Sequence, residues 1–318
     1  ASIFTEVTAI MSMDMVVKVI LAILETFIFF GFGAWAYYLK MIEDKDLGKL
    51  GRLSIDMLLP FLTFSSVVKN FTVKDIGMIW QLPLIGLGIM AFGALCGYLL
   101  VYGLHDKSPR RNGTFIHLAI ANNYIFLPLV VLGNLFGTKA VAALMLLSVG
   151  STIGFWTFGV GVLAGRDFKR VFRNVCSTNM AAIVLALIFV FSGIQVPAFG
   201  MNIFEKLGTL AVPLSLLLIG ASMYKTGIRM LVHRFDAVYT LIARLVIIPF
   251  FTVFLLKLLP LEPLVYHVAL IVSLMPASCT SVLIVRKYGG CPDFAGQSVF
   301  FSTIACIVTV PVFLYFLM

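Results

Sequence analysis

The chain has 318 residues, of which 61% are hydrophobic and 12% charged, and its mean hydropathy is +1.07. Soluble domains are about a quarter charged, so this composition excludes a water-facing globular surface. A net charge of +9 in a soluble chain would point to nucleic acid, but here the Lys and Arg residues sit in short joins between apolar runs, so positive-inside topology accounts for them and no nucleic-acid partner is expected.

A spanning helix needs about 20 mostly apolar residues. Ten segments meet that length in chain order: 15–39, 50–68, 76–104, 113–136, 139–164, 178–197, 203–224, 236–259, 264–286 and 294–317. The first has no small-residue cleavage site after it and reads as a span, not a signal peptide. The joins are short, as in Glu43-Asp44-Lys45-Asp46 and Gly289-Gly290-Cys291-Pro292-Asp293, and none has room for a soluble domain.

Basic residues set direction. Lys40, Lys45, Lys49 and Arg52 follow span 1, and Lys107, Arg110 and Arg111 follow span 3. Arg166, Lys169, Arg170 and Arg173 follow span 5, Lys225, Arg229 and Arg234 follow span 7, and Arg286 and Lys287 follow span 9. The even-numbered joins are poorer. Joins after odd spans are therefore expected in the cytoplasm, and both termini outside it, in a multi-pass protein of the cell membrane.

The two halves are locally alike. Span 2 and span 7 each carry Pro near the middle, at Pro60 and Pro213, and spans 4 and 9 each break an apolar run with polar residues and Pro. Five spans is an odd number, so a second unit of five enters from the opposite side. This predicts an all-α membrane fold of two inverted repeats, 15–164 and 178–317.

The breaks read Ala121-Asn122-Asn123-Tyr124-Ile125-Phe126-Leu127-Pro128 and Met275-Pro276-Ala277-Ser278-Cys279-Thr280-Ser281. Pro removes a backbone donor. Freed backbone groups at membrane depth are tolerated only inside protein or beside a cavity. Two matched breaks predict a shared central site, with helix N-termini suited to an anion. Asn122, Asn123, Pro128, Pro276, Ser278, Thr280 and Ser281 are its candidate residues, with Ser151 of span 5. Pro kinks and cross-helix hydrogen bonds in an ordinary bundle are the competing account.

At these residues the chain resembles the auxin efflux carrier family. The resemblance also rests on Phe155-Trp156-Thr157-Phe158-Gly159, on the run from Val212-Pro213 to Ser222, on Lys287-Tyr288-Gly289-Gly290, and on Ser302-Thr303 with Pro311. It implies that spans 4 and 9 cross near the midplane. It further implies a scaffold of spans 1, 2, 6 and 7, a mobile unit of spans 3, 4, 5, 8, 9 and 10, and an organic anion moved by an elevator-like shift. A homodimer through the scaffold is part of the same implication. The chain departs from the pattern at Thr280, where Asn is frequent, at Asn123 and Phe126, where Gly is usual nearby, at Ser151 and Thr152, where amides are common, and at Ser177-Thr178-Asn179, which replaces Asn-Pro. The fold survives these changes; the substrate does not transfer with it.

Charges inside spans are costly, about 2.5–3.5 kcal/mol each on insertion scales. Glu25, Asp56 and Arg244 are therefore candidates for coupling or for a charge pair, while Lys18 and His117 read as interfacial. No phosphate loop, metal cluster or nucleophile triad appears, so neither a cofactor nor an enzyme activity is expected. The leading reading is a carrier for a small organic anion such as a carboxylate or auxin-like acid, exporting or exchanging it, proton-coupled or uniport. A sodium-coupled symporter of the bile-acid type and a transporter-like sensor are the alternatives.

Overall fold

The computed structural model describes residues 2–164, 175–226 and 234–317. The basic residues at 166–173 and Arg229 lie outside the described residues. Among the described residues the secondary structure is helical apart from one isolated bridge.

Helices α1 (Ser2–Tyr38), α2 (Asp44–Asn70) and α3 (Ile76–Leu100) open the chain. They are followed by α4 (Pro109–Ile120) and α5 (Phe126–Ala164), then by α6 (Thr178–Ser192) and α7, which runs Ala198–Thr209 and Ala211–Thr226. The last are α8 (Phe235–Leu258), α9 (Pro263–Ser273), α10 (Ser281–Lys287) and α11 (Pro292–Leu317).

Among the described residues, seven helices are long and apolar enough to cross a membrane. The difference from ten apolar segments has local causes. Gly137, at φ +73°, bends α5 sharply, so two apolar runs count as one helix. That backbone angle suits a residue without Cβ. The segments at 113–136 and 264–286 are each cut by non-helical backbone at 121–125 and 274–280. α6 is a 15-residue helix, ended by Gly193 in the left-handed region. Its N-cap is Ser177, whose Oγ accepts from Met180 N at 3.3 Å, and Asn179 Oδ1 accepts from Thr63 Oγ1 at 2.6 Å. Those two contacts are what the Ser177-Thr178-Asn179 departure supplies.

The helices associate in two groups that also pack on each other, α1 and α2 against α5 and α1 against α11. In one, α1 packs on α7, and α2 on α6 and α7. In the other, α3 packs on α4 and α5, α9 on α5, and α8 and α10 on α11. Each group is drawn tight by a reciprocal glycine contact. A Cβ on Gly33 would strike Leu217 O, and one on Gly220 would strike Phe30 O, so α1 and α7 meet backbone to backbone. Gly86 and Gly150 do the same for α3 and α5, against Leu147 O and Pro83 O. Lipid supplies no hydrophobic drive between helices, so close backbone approach and the dispersion it permits hold such pairs. Among the described residues three π turns interrupt the helical ladder, at Leu53–Leu58, Phe155–Gly159 and Ala243–Ile247. The second and third lie beside the two breaks.

Candidate functional site

The two breaks meet. Asn122 and Ala277 form an antiparallel bridge. Asn123 N donates to Pro276 O and Ser278 N to Ala121 O, both at 2.8 Å. Asn122 precedes the first residue of α5 by as many positions as Ala277 precedes the first residue of α10, so the crossing joins like with like. Each break thereby satisfies backbone groups that its own helix has released, as buried amides require.

Helix C-termini leave carbonyls without helical partners. Arg244, in the π turn of α8 and 2% exposed, serves both breaks. Its Nη1 donates to Ala119 O at 2.8 Å, and its Nε and Nη2 donate to Met275 O at 3.2 Å each. The planar fork of a guanidinium suits this two-target contact; an ammonium does not share it. The charge neither snorkels nor meets a carboxylate. Glu25 is exposed on α1 and accepts from Asn134 Nδ2 at 3.1 Å, and Asp56 is exposed within the α2 π turn. None of these three forms an ion pair among the described residues.

The candidate polar residues fall into separate places. Asn122 is fully buried, and its Nδ2 donates to Val272 O at 2.7 Å while Oδ1 has no partner. Asn123 and Ser278 sit within the crossing through their backbones. Ser278 Oγ and Thr280 Oγ1 are 2.9 Å apart, and Thr280 is exposed. Ser281 is buried with its Oγ unpartnered. Pro276 is buried at the bridge, and Pro128 is buried in the first turn of α5, where no helical N–H is lost. Ser151 is not brought to the crossing. It turns to α3, with Oγ 3.5 Å from Gly86 O. Its neighbour Thr152 is the one that reaches the break, with Oγ1 3.4 Å from Tyr124 Oη.

A small crevice of about 10 Å³ lies at the second break, between Ser222 and Met223 of α7, Cys279 and Val282, and Val299 and Phe300 of α11. It joins the two helix groups. The groups also touch through Asn70 Oδ1, which accepts from Thr138 Oγ1 at 2.9 Å, and through Glu25 with Asn134.

Acidic residues are sparse around the crossing. Residues 76–164 contain one, Asp106, in a join, and residues 237–318 contain Glu262 and Asp293, each beside the start of a helix. What surrounds the breaks is backbone, hydroxyl, amide and one cation.

Reading the sequence missed three groups. His117 is fully buried, not interfacial, and its Nδ1 lies 2.8 Å from Gly159 O. Gln297 and Ser298 of α11 are buried with Nε2 and Oγ unpartnered. A lone Gln-Ser pair within an apolar run was the available signal for these two; for His117 the signal was four residues of spacing to Ala121, whose N–H bonds to its carbonyl.

An all-helical chain with several membrane-length apolar helices, and two broken helices bridged in its interior, has the architecture of a multi-pass membrane transporter. The chain belongs to the membrane transport protein family that includes the auxin efflux carriers: the family model matches residues 12–171 and 167–314. An uncharacterized transporter of Methanothermobacter thermautotrophicus is 25% identical over 280 residues, covering 86% of this chain and 90% of its own length. An uncharacterized transporter of Methanocaldococcus jannaschii is 22% identical over 299 residues, covering 92% and 94%.

Proposed function

We propose that this transporter is a secondary carrier for a small organic anion, bound at the crossing. Ten spans form two inverted units of five, 15–164 and 178–317, with both termini outside the cell membrane. The group α1, α2, α6 and α7 is the scaffold, through which two copies pair, and α3–α5 with α8–α11 is the unit that moves against it in an elevator-like shift. The two most extensive helix pairs, α1 with α7 and α3 with α5, each lie within one group and support the division, and the Gly137 break supports counting α5 as parts of two spans.

The observation that carries the anion reading is the bond set of Arg244. Each helix end has the effect of about half a unit charge, negative at the C-terminus and positive at the N-terminus. One guanidinium on the carbonyls Ala119 O and Met275 O offsets the negative ends of α4 and α9 together. The positive end of α5 then stays uncompensated, in a region without carboxylates. Such a site favours an anion and disfavours a bare cation. The ligand contacts are the hydroxyls of Ser278 and Thr280 and the amides around Asn123. Arg244 itself acts from behind the crossing and does not touch substrate.

Proteoliposome flux with labelled dicarboxylates and indole acids tests this reading. Saturable flux of an organic anion is expected; flux of inorganic or organic cations with none for any anion contradicts it.

A further inference from the structure

We propose that the end of α1, the start of α2 and the end of α7 form a site for a phospholipid headgroup that carries both an ammonium and a phosphate, as phosphatidylethanolamine does. Tyr37, Tyr38, Lys40, Glu43, Asp44 and Tyr224 line an open depression of about 490 Å³ there. That volume lies within the range of about 300–1,000 Å³ usual for small-ligand sites. All of it belongs to the group of α1, α2 and α7, away from the crossing.

The lining has partners for both headgroup charges. Two successive residues of α1 flank Tyr224: its ring centroid is 5.9 Å from that of Tyr37, inclined at 51°, and 6.3 Å from that of Tyr38, inclined at 69°. Rings inclined this steeply turn their faces in different directions about one space, and an ammonium is drawn to such faces. Asp44 adds the counter-charge. Its Oδ1 accepts from Tyr37 Oη at 2.7 Å, which holds the carboxylate beside the rings. An ionised carboxylate has about four acceptor positions, so this bond does not exhaust it. Glu43 is held by Lys45 Nζ at 2.8 Å. Lys40 brings the opposite charge to the same depression. It repels a simple cation, and Asp44 and Glu43 repel a simple anion. A headgroup with both charges meets a partner for each.

Lys40 occupies a conformation that suits glycine. Its φ is +59°, and it is the one non-glycine residue with positive φ among the described residues. Met41 N and Ile42 N both donate to Ala36 O, at 2.9 and 3.3 Å, so Lys40 closes the end of α1 where glycine is usual. Glycine takes that angle without steric cost. What lysine adds is a cation at the depression. The apolar surroundings point to a lipid as the source of the headgroup. Trp35 is exposed and precedes Tyr38 by three residues, so the two share a helix face. Leu39 and Met41 beside them are exposed as well. In a membrane protein such a face lies against acyl chains, while tyrosines at a helix end lie at headgroup level.

The test uses the purified protein in detergent. It reads the thermal unfolding midpoint and, by native mass spectrometry, the lipid retained. The probes are short-chain phosphatidylethanolamine, short-chain phosphatidylglycerol and soluble phosphoethanolamine. Phosphatidylethanolamine is expected to be retained and to raise the midpoint, with phosphatidylglycerol weaker by about tenfold and phosphoethanolamine without effect at the same concentrations. Lys40→Gly should raise the midpoint of the lipid-free protein, by relieving the backbone, and weaken phosphatidylethanolamine binding by about tenfold. Tyr224→Leu keeps an apolar side chain at the end of α7 and should weaken binding in the same direction. Equal retention of the two lipids means an interfacial belt of rings without a headgroup site and overturns the proposal. A preference that survives both variants overturns it too, as does a midpoint shift from phosphoethanolamine equal to that from the lipid. None of these readings involves flux, so failure of the carrier reading leaves them unchanged.

Discussion

The two interrupted helices are built on one plan and finished differently. Both stop, cross as extended backbone and restart at matching positions. The first break is sealed: Ala121, Asn122 and Asn123 are buried, and the Asn122 amide reaches across to Val272 O. The second is less sealed: Cys279 is half-buried beside a small crevice, Thr280 is exposed, and opposite Asn122 stands Ala277, which has no polar side chain. The cation that steadies both comes from α8, while α3 has no Lys or Arg between residues 76 and 103. The two breaks thus differ in burial: the first is held by a buried side-chain bond, and the second leaves Thr280 exposed.

The largest break of this comparison is Arg244→Gln, which strips charged donors from two buried carbonyls. Hydrogen bonds to charged groups contribute about 1.5–3 kcal/mol each and unpaired buried groups cost about 1–3, so a drop of several degrees or more in the thermal unfolding midpoint in detergent is expected. Arg244→Lys should fall between, because an ammonium cannot fork to both Ala119 O and Met275 O. Equal stability of all three would dissolve the clamp.

Asn122→Ala comes next. It deletes the bond to Val272 O and leaves that carbonyl short of a donor, for about 1–3 kcal/mol of stability, and it should slow transport by loosening the bridge. Thr280→Val sharpens the contrast from the other side. Thr280 is exposed, so stability should move by about 0.5 kcal/mol or less, while the half-saturation concentration for the transported anion rises. If Thr280→Val unfolds the protein and Asn122→Ala does not, the roles of the two breaks are reversed.

The smallest expected effect is a control away from both breaks. Asp75 accepts from Lys139 Nζ at 2.9 Å and from Thr72, and the lysine contact holds its carboxyl below the usual carboxylate range. A depressed folded value means that this contribution is present at neutral pH and above, and is lost as pH falls from about 3.9 through the folded value. Lys139→Gln should lessen acid sensitivity in the unfolding midpoint slightly and leave anion affinity unchanged.

Much of the fold was legible because lipid imposes a crude code. Apolar runs of spanning length, charged joins and paired breaks all follow from what hydrocarbon excludes, and both breaks were found at Asn122 and at Ala277-Ser278. The rest depends on backbone atoms and on rotation about helix axes, neither of which residue letters display. Arg244 read as a charge seeking a carboxylate; its partners are carbonyls that exist only because two helices end beside it. Ser151 and Thr152 are adjacent letters, yet one faces α3 and the other the crossing. His117 looked interfacial from its distance to the span end, but the π turn of α5 gives its ring a buried acceptor. The Gly137 bend was hidden as well, since a glycine in an apolar run carries no sign of its backbone angle.

The central claim is that the crossing binds the transported anion. A structure of the reconstituted protein with a saturating transported carboxylate tests it most directly. The account predicts carboxylate density within hydrogen-bond reach of Thr280, Ser278 and the backbone at Asn123, with Arg244 still on Ala119 O and Met275 O. Density confined to another surface, or a guanidinium swung away from those carbonyls onto the ligand, would contradict it.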